Sequence, residues 1–216
     1  MRTDAELKQD VIAELAWDPL VKTNQIGVAV RDGVVTVSGH LDTYAQKWAV
    51  EKAIHRIEGV KAVALELDVR LARDHQRNDT DIAIAAENAL KWHALVPAES
   101  IRVTVNEGHL TVEGEVQWDY QRQGVEDTLR VLKGVKSLNN QITLKQAEAP
   151  RDLRDRIRDA MTRHAIREAN HLQIEFFGGV LTLTGTVHSW QEAKAAQGAV
   201  WSAPGVLRVV NQLVIE

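Results

Sequence analysis

The chain lacks several features that would point to particular chemistry. It has no cysteine among its 216 residues, which excludes disulfides, thiolate metal sites and a cysteine nucleophile. No apolar run approaches the roughly 20 residues that a membrane-spanning helix needs. The polar N-terminal segment enters a helical pattern directly, with no apolar signal-peptide region. We therefore expect a cytoplasmic protein, with any membrane contact made peripherally from the surface.

The chain also lacks an excess of positive charge. Its 26 Lys and Arg residues face 30 Asp and Glu residues, for a formal net charge of −4. Because nucleic-acid binding depends on a basic field, we expect no nucleic-acid partner. There is no GxSxG elbow, no GxxxxGK[ST] phosphate loop, no HExxH pair among the eight histidines and no DxDxDG calcium loop. The sequence predicts a protein that is not an enzyme and has no cofactor and no metal site.

Glycine reveals an internal repeat. Three sets of three glycines share the same spacings of 6 and 20 residues: Gly33, Gly39 and Gly59; Gly108, Gly114 and Gly134; Gly179, Gly185 and Gly205. The first glycine of each set follows an alternating apolar strand pattern and fits a two-residue hairpin turn. The third fits the C-terminal cap of a helix. All nine are interpreted as structural glycines.

The pattern around these glycines predicts an α+β fold. Each repeat opens with apolar residues four apart, as in Leu7, Val11 and Leu15, which is typical of an amphipathic helix. Two alternating strands, a second helix and a third strand follow. The strand-helix-strand order implies a right-handed crossover and a parallel pair. We predict three tandem αββαβ units over residues 1–72, 73–147 and 148–216, each a three-stranded mixed sheet packed by two helices.

The closing part of the repeat carries a family resemblance. A glycine-valine pair followed by Val-x-Asn-x-Leu is complete in the third unit, at Val209, Asn211 and Leu213. The second unit is close, and the first departs from the pattern with Leu65 in place of asparagine. With the glycine framework, this pattern resembles the BON domain family of bacterial envelope and stress proteins. The resemblance implies phospholipid association, stress response or transport-related roles.

Tryptophan is the unusual residue type, with six copies against two Phe and two Tyr. Trp201 aligns with His55 and Arg130 of the sister units, positions expected to meet water, and it shares a predicted helix with Trp190. We predict an interface formed by Trp190, Trp201, Ala195 and Ala199 of that helix, together with Trp48 and Trp118 of the second-helix regions of units 1 and 2. The partner of this interface is left open between domain packing within the chain, self-association, and a membrane or another protein.

Two further features have more than one interpretation. Trp17 and Trp92 occupy equivalent positions at the end of the first helix and are expected to pack locally. The third unit opens with an arginine-rich helix that is either a solvated charged face or a weak contact for an anionic surface. Its arginines are Arg151, Arg154, Arg156, Arg158, Arg163 and Arg167.

These observations favour a binding function. The leading hypothesis is a non-enzymatic binding or assembly protein that associates with itself as a homo-oligomer. This protein would act at or near a membrane, and its partners would include an anionic membrane surface. The alternative is a protein-binding adaptor or scaffold with no lipid contact. The ligand and the pathway are not encoded in any motif of the sequence.

Overall fold

The computed structural model describes residues 2–146, 150, 152–163 and 172–215, without the side chains of residues 162 and 163. Three units follow one another, each with the order helix, strand, strand, helix, strand. The helices of these units are α1 Asp4–Trp17, α2 Tyr44–Ile54, α3 Asp79–Trp92, α4 Asp119–Leu129, α5 Leu153–Arg163 and α6 Trp190–Trp201. The strands are β1 Ile26–Arg31, β2 Val34–Leu41, β3 Ala62–Val69, β4 Ile101–Asn106, β5 His109–Val116, β6 Ser137–Leu144, β7 Gln173–Phe177, β8 Val180–Val187 and β9 Arg208–Ile215.

Each unit contains one three-stranded mixed sheet. In unit 1 the central strand β2 pairs antiparallel with β1 and parallel with β3, with Val35 opposite Val30 on one side and Val63 on the other. Units 2 and 3 repeat this order with β5 and β8 in the centre. The predicted α+β class and the mixed three-stranded sheets are confirmed.

The two helices of each unit cover one face of its sheet and close a separate apolar core. Unit 1 buries Leu7, Val11 and Leu15 of α1 against Val35 and Val37 of β2. The equivalent helix residues Ile82, Ala86 and Leu90 fill the core of unit 2. In unit 3 they are Leu153, Ile157 and Met161. The four-residue spacing seen in the sequence is therefore the buried stripe of the first helix.

In units 1 and 2 the second glycine of the set allows two segments to approach closely. Gly39 has φ of 136°, and a Cβ atom added there would lie 2.2 Å from the carbonyl oxygen of Gln25. Gly114 repeats this in unit 2, with φ of 146° and 2.1 Å to the carbonyl oxygen of Ser100. No larger residue fits such a position without backbone movement. All nine glycines interpreted as structural have positive φ.

The hairpin turns show a difference between the units. In unit 1 the Asp4 carboxylate of α1 accepts hydrogen bonds from the backbone N–H groups of Asp32 and Gly33, at 2.8 and 3.0 Å. In unit 2, Asp79 accepts the equivalent pair at 2.7 and 2.9 Å. Pro150 occupies this position in unit 3, where the turn residues are Gly178 and Gly179. A first-helix carboxylate thus anchors the turn in two units.

Candidate functional site

The second helices of the units (α2, α4 and α6) meet one another, and Trp190 is at the contact between units 3 and 1. Its indole Nε1–H donates a hydrogen bond of 2.9 Å to the carbonyl oxygen of Val60. Its ring stacks on His55 at 4.9 Å between centroids, and it packs against the apolar core of unit 1. Burial lowers the pKa of His55, because the partly desolvated ring disfavours the imidazolium, with Lys194 acting in the same direction. We call this contact the 3–1 joint.

Tyr44, which is equivalent to Trp190, makes the contact between units 1 and 2. It packs against the apolar core of unit 2, and burial raises the pKa of its hydroxyl. One turn further along α2, the Trp48 ring lies 4.3 Å from the guanidinium of Arg130, which is only 7% exposed. This cation–π contact and the buried tyrosine form the 1–2 joint.

The contact between units 2 and 3 is a cation–π contact supported by an ion pair within unit 2. At the position of Tyr44 and Trp190 this joint has Asp119, which is 2% exposed. Its carboxylate accepts hydrogen bonds from Arg122 and from Gln123, the latter at 2.5 Å. The Arg122 guanidinium stacks 4.6 Å above the Trp201 ring of unit 3. Asp119 therefore orients the arginine that makes the 2–3 joint.

One position of the repeat takes part in all three joints. The side chain that receives the preceding unit is Arg130 in the 1–2 joint, Trp201 in the 2–3 joint and His55 in the 3–1 joint, and these residues are equivalent. Unit 3 thereby contacts unit 1 as unit 1 contacts unit 2. A head-to-tail contact that repeats with closure forms a ring. The three contacts therefore close a ring of three units.

A cavity of about 760 Å³ opens where α2, α4 and α6 meet. Unit 1 contributes Trp48 and Lys52 to its lining, unit 2 contributes Arg122 and Glu126, and unit 3 contributes Lys194. Side chains of both signs thus face a shared space among the three units. Among the described residues, no group of three or more His, Cys, Asp or Glu side chains is placed to hold a metal ion.

The predicted interface residues lie mostly at the joints within the chain. Trp48, Trp190 and Trp201 are half-buried there, and Trp118 is half-buried immediately before α4. The expectation that the position of His55 and Arg130 meets water is wrong, because this position receives the neighbouring unit. Ala199 also requires correction as a contact residue, since it is 3% exposed within the unit 3 core, whereas Ala195 is exposed. Association between chains through these residues stays a prediction.

The most exposed tryptophans are the two that were expected to pack locally, so that expectation is wrong. Trp17 is 84% exposed and Trp92 is 89% exposed. Leu20 and Leu95, three residues later, are 55% and 59% exposed. We call each pair a tryptophan tip. Helical spacing contained the signal, because Trp17 follows the buried Leu15 by two residues and so points away from the core face.

Other surface features bear on binding. The arginine-rich helix α5 carries ion pairs that match its spacing, with Arg156 Nε 2.8 Å from an Asp152 oxygen and Arg158 Nη1 3.7 Å from an Asp155 oxygen. Arg151, Arg167 and the side chain of Arg163 lie outside the described residues. In the described part of the chain, no helix is long and apolar enough to cross a membrane.

The fold and the joints together define a class: tandem small α+β domains that dock on one another through single side chains. Within that class, the chain belongs to the BON domain family, whose model matches residues 3–70, 78–146 and 151–216. The resemblance drawn from the glycine framework is confirmed.

The chain shares less than a third of its residues with each of three individual relatives or solved structures. The osmotically-inducible protein Y of Escherichia coli strain K12 is 27% identical over 146 residues, which cover 66% of this chain and 73% of that protein. Among solved structures, CdsD, a structural protein of the type III secretion system of Chlamydia trachomatis, aligns over 96% of this chain and 91% of its own with 14% identity and a TM-score of 0.27. The PrgH periplasmic domain aligns with 11% identity and a TM-score of 0.20 over 88% of this chain and 95% of its own. These two scores carry no conclusion about how the units are arranged.

Proposed function

We propose that the chain is a non-enzymatic binding protein that docks on a membrane surface through its two tryptophan tips. The supporting observation is the exposure of Trp17 and Trp92, at 84% and 89%, each with an exposed leucine beside it. Tryptophan is favoured at the boundary between lipid headgroups and acyl chains, because its ring is apolar and its N–H is polar.

The ring arrangement supports simultaneous contact. Trp17 and Trp92 hold equivalent places at the end of the first helix in units that share one fold, so we infer that the two tips face the same side of the ring. A flat surface then meets both. Full transfer of one such side chain from water contributes on the order of 2 kcal/mol. Two tips together suit reversible peripheral binding.

Vesicle sedimentation tests the proposal. We expect the chain to sediment with phosphatidylglycerol-containing vesicles, Trp17→Ala and Trp92→Ala each to weaken binding roughly tenfold, and the double variant to lose it. Phe177→Ala is the matched control, since Phe177 is an equally exposed aromatic, at 89%, at the end of strand β7 in unit 3. Equal loss in Phe177→Ala would contradict a specific role for the tips.

Vesicle sedimentation at increasing salt concentration distinguishes apolar insertion from electrostatic attraction. Insertion of apolar tips predicts weak dependence on salt, whereas binding abolished by about 0.5 M salt would assign the contact to the arginine-rich helix α5. Absence of vesicle binding, with the tips still exposed, would favour the adaptor function, in which the tips meet an apolar face of another protein.

Self-association is the second proposal for the same surface. The tips, rather than Trp190 and Trp201, are the tryptophans left uncovered by the ring. Light scattering on the wild-type chain and on the Trp17→Ala, Trp92→Ala double variant tests it. A homo-oligomer formed through the tips reverts to a single chain in the double variant.

A further inference from the structure

The 2–3 joint lacks the aromatic side chain that the other two joints have at the first residue of the second helix. The first residue of the second helix is Tyr44 in the 1–2 joint and Trp190 in the 3–1 joint, and each packs against the core of the neighbouring unit. In the 2–3 joint this residue is Asp119, whose carboxylate is turned to Arg122 and Gln123. The smaller Asp119 side chain leaves open the space that a tyrosine or tryptophan would fill.

The receiving side of the 2–3 joint is also reduced in size. Gly198 occupies the position of Lys52 in unit 1 and Asp127 in unit 2, and a Cβ atom added to it meets nothing within 4 Å. Ser202 replaces Arg56 and Val131 in the same way. Both substitutions remove side-chain volume from the side of α6 that faces unit 2. The joint is therefore open from both sides.

A cavity of about 400 Å³ remains at this joint. Trp118, Asp119, Tyr120 and Gln123 of unit 2 line it, together with Gly198, Trp201 and Ser202 of unit 3. Its volume lies within the range of small-molecule sites, which are concave and largely apolar with a few polar groups. Three aromatic side chains in so small a lining set favour a planar partner, because rings pack by offset stacking or edge to face.

We propose that the cavity of the 2–3 joint binds a planar aromatic ring of the indole or phenol type, in the place that Tyr44 and Trp190 hold at the other joints. The ring comes from a free small molecule or from an aromatic side chain of a peptide. The chemistry is the same for both sources, and the test distinguishes them.

The charges at the joint argue against a cationic ligand. The Asp119 carboxylate is already paired with Arg122 and Gln123. The Arg122 guanidinium offsets the charge of Asp119, so the described residues that line the cavity offer no unpaired carboxylate to attract an ammonium ligand. A neutral aromatic ring needs no such charge, because it packs on the aromatic lining by offset stacking or edge to face.

Indole N–H resonances give the test. In ¹H–¹⁵N spectra of the full chain, six tryptophans give six side-chain probes. Titration with indole is expected to shift the Trp118 and Trp201 signals in a saturable way, and to leave those of Trp17 and Trp92 unchanged. N-acetyl-L-tryptophanamide is the second probe. Tighter binding of this amide than of indole assigns the ligand to a peptide, and the reverse order assigns it to a free small molecule.

Two variants close the site with residues taken from unit 1. Asp119→Tyr supplies the missing ring, and Gly198→Lys restores the side chain at the mouth. Each is expected to weaken indole binding at least tenfold. Gly198→Lys changes an exposed position of α6, so it remains informative if Asp119→Tyr disturbs the ion pair with Arg122. Phe177→Ala is the control, since Phe177 is an exposed aromatic residue outside the cavity lining, and this variant is expected to bind indole as the wild type does.

Three results would overturn the proposal. One is equal shifts of all six indole signals, which indicate contact without a site. Another is the absence of any shift at Trp118 and Trp201. The third is stronger shifts with choline than with indole, which would make the cavity a cation site.

Discussion

The interiors of the units and the joints between them differ in how much surface they bury. Each unit closes its own core, in which Val11, Leu110 and Leu181 are at most 1% exposed. The whole chain exposes 12863 Å². One compact globule of 24.1 kDa is expected to expose about 10,000 Å², and three separate globules of a third of that mass about 13,400 Å². The joints therefore bury little area. Stability resides in the units, and their arrangement depends on a few side chains.

The largest expected effect comes from breaking a unit interior. Gly39→Ala places a Cβ atom 2.2 Å from the carbonyl oxygen of Gln25 at φ of 136°, a backbone region that side chains other than glycine rarely adopt. We expect the free energy of unfolding of unit 1 to fall by about 2 to 4 kcal/mol. Chemical denaturation followed by circular dichroism measures this.

Gly27→Ala is the matched control for that change. Gly27 lies in the neighbouring strand β1, and a Cβ atom there meets only the Ser38 Oγ at 3.6 Å, an ordinary contact. Its effect is expected within about 1 kcal/mol. Equal destabilisation by both variants would show that the close approach at Gly39 is not the cause.

A joint should cost less to break than an interior. Trp190→Ala removes the hydrogen bond to the Val60 carbonyl and the stacking on His55. These contacts contribute about 2 kcal/mol to closing the 3–1 joint. We expect the radius of gyration measured by small-angle X-ray scattering to increase, while the circular dichroism spectrum of the units is retained.

Phe177→Ala is the control for the joint variant, since Phe177 is 89% exposed and takes part in none of the joint contacts described above. It should change neither the radius of gyration nor, beyond about 0.5 kcal/mol, the stability. Loss of the folded circular dichroism spectrum in Trp190→Ala would show that Trp190 stabilises unit 1 itself. That result would contradict the division between interiors and joints.

The repeat spacing was sufficient to predict the units, because core positions recur in each copy: helical stripes, alternating strands and glycines at fixed offsets. The repeat spacing did not predict which tryptophans are covered and which are exposed. A side chain that points away from its own unit can still be covered by the next one, and a head-to-tail joint pairs different residue types, such as Trp48 with Arg130. A polar residue at an equivalent position is therefore no sign that the position faces solvent. The burial of Asp119 also depends on neighbours that only the ring supplies.

The smallest expected effect concerns the pH dependence of the 3–1 joint. Burial lowers the pKa of His55 below its usual 6.5, Lys194 of unit 3 acts in the same direction, and Glu51 of the same helix opposes them. The closed joint therefore favours neutral imidazole. When the joint opens, His55 regains water and a higher pKa, so the open form binds the proton more readily.

The sign of the pH effect follows from this difference. Above the usual pKa the ring is neutral in both forms and the joint has its full stability. As the pH falls below 6.5 through the lowered pKa, protonation of the open form weakens the joint progressively. We expect the radius of gyration to rise modestly between about pH 7 and pH 5, by less than in Trp190→Ala. His55→Phe keeps a ring that can stack on Trp190 and removes the titration, so its radius of gyration should be unchanged over this range. An equal rise in His55→Phe would assign the opening to other groups, and the 3–1 joint would then be insensitive to this histidine.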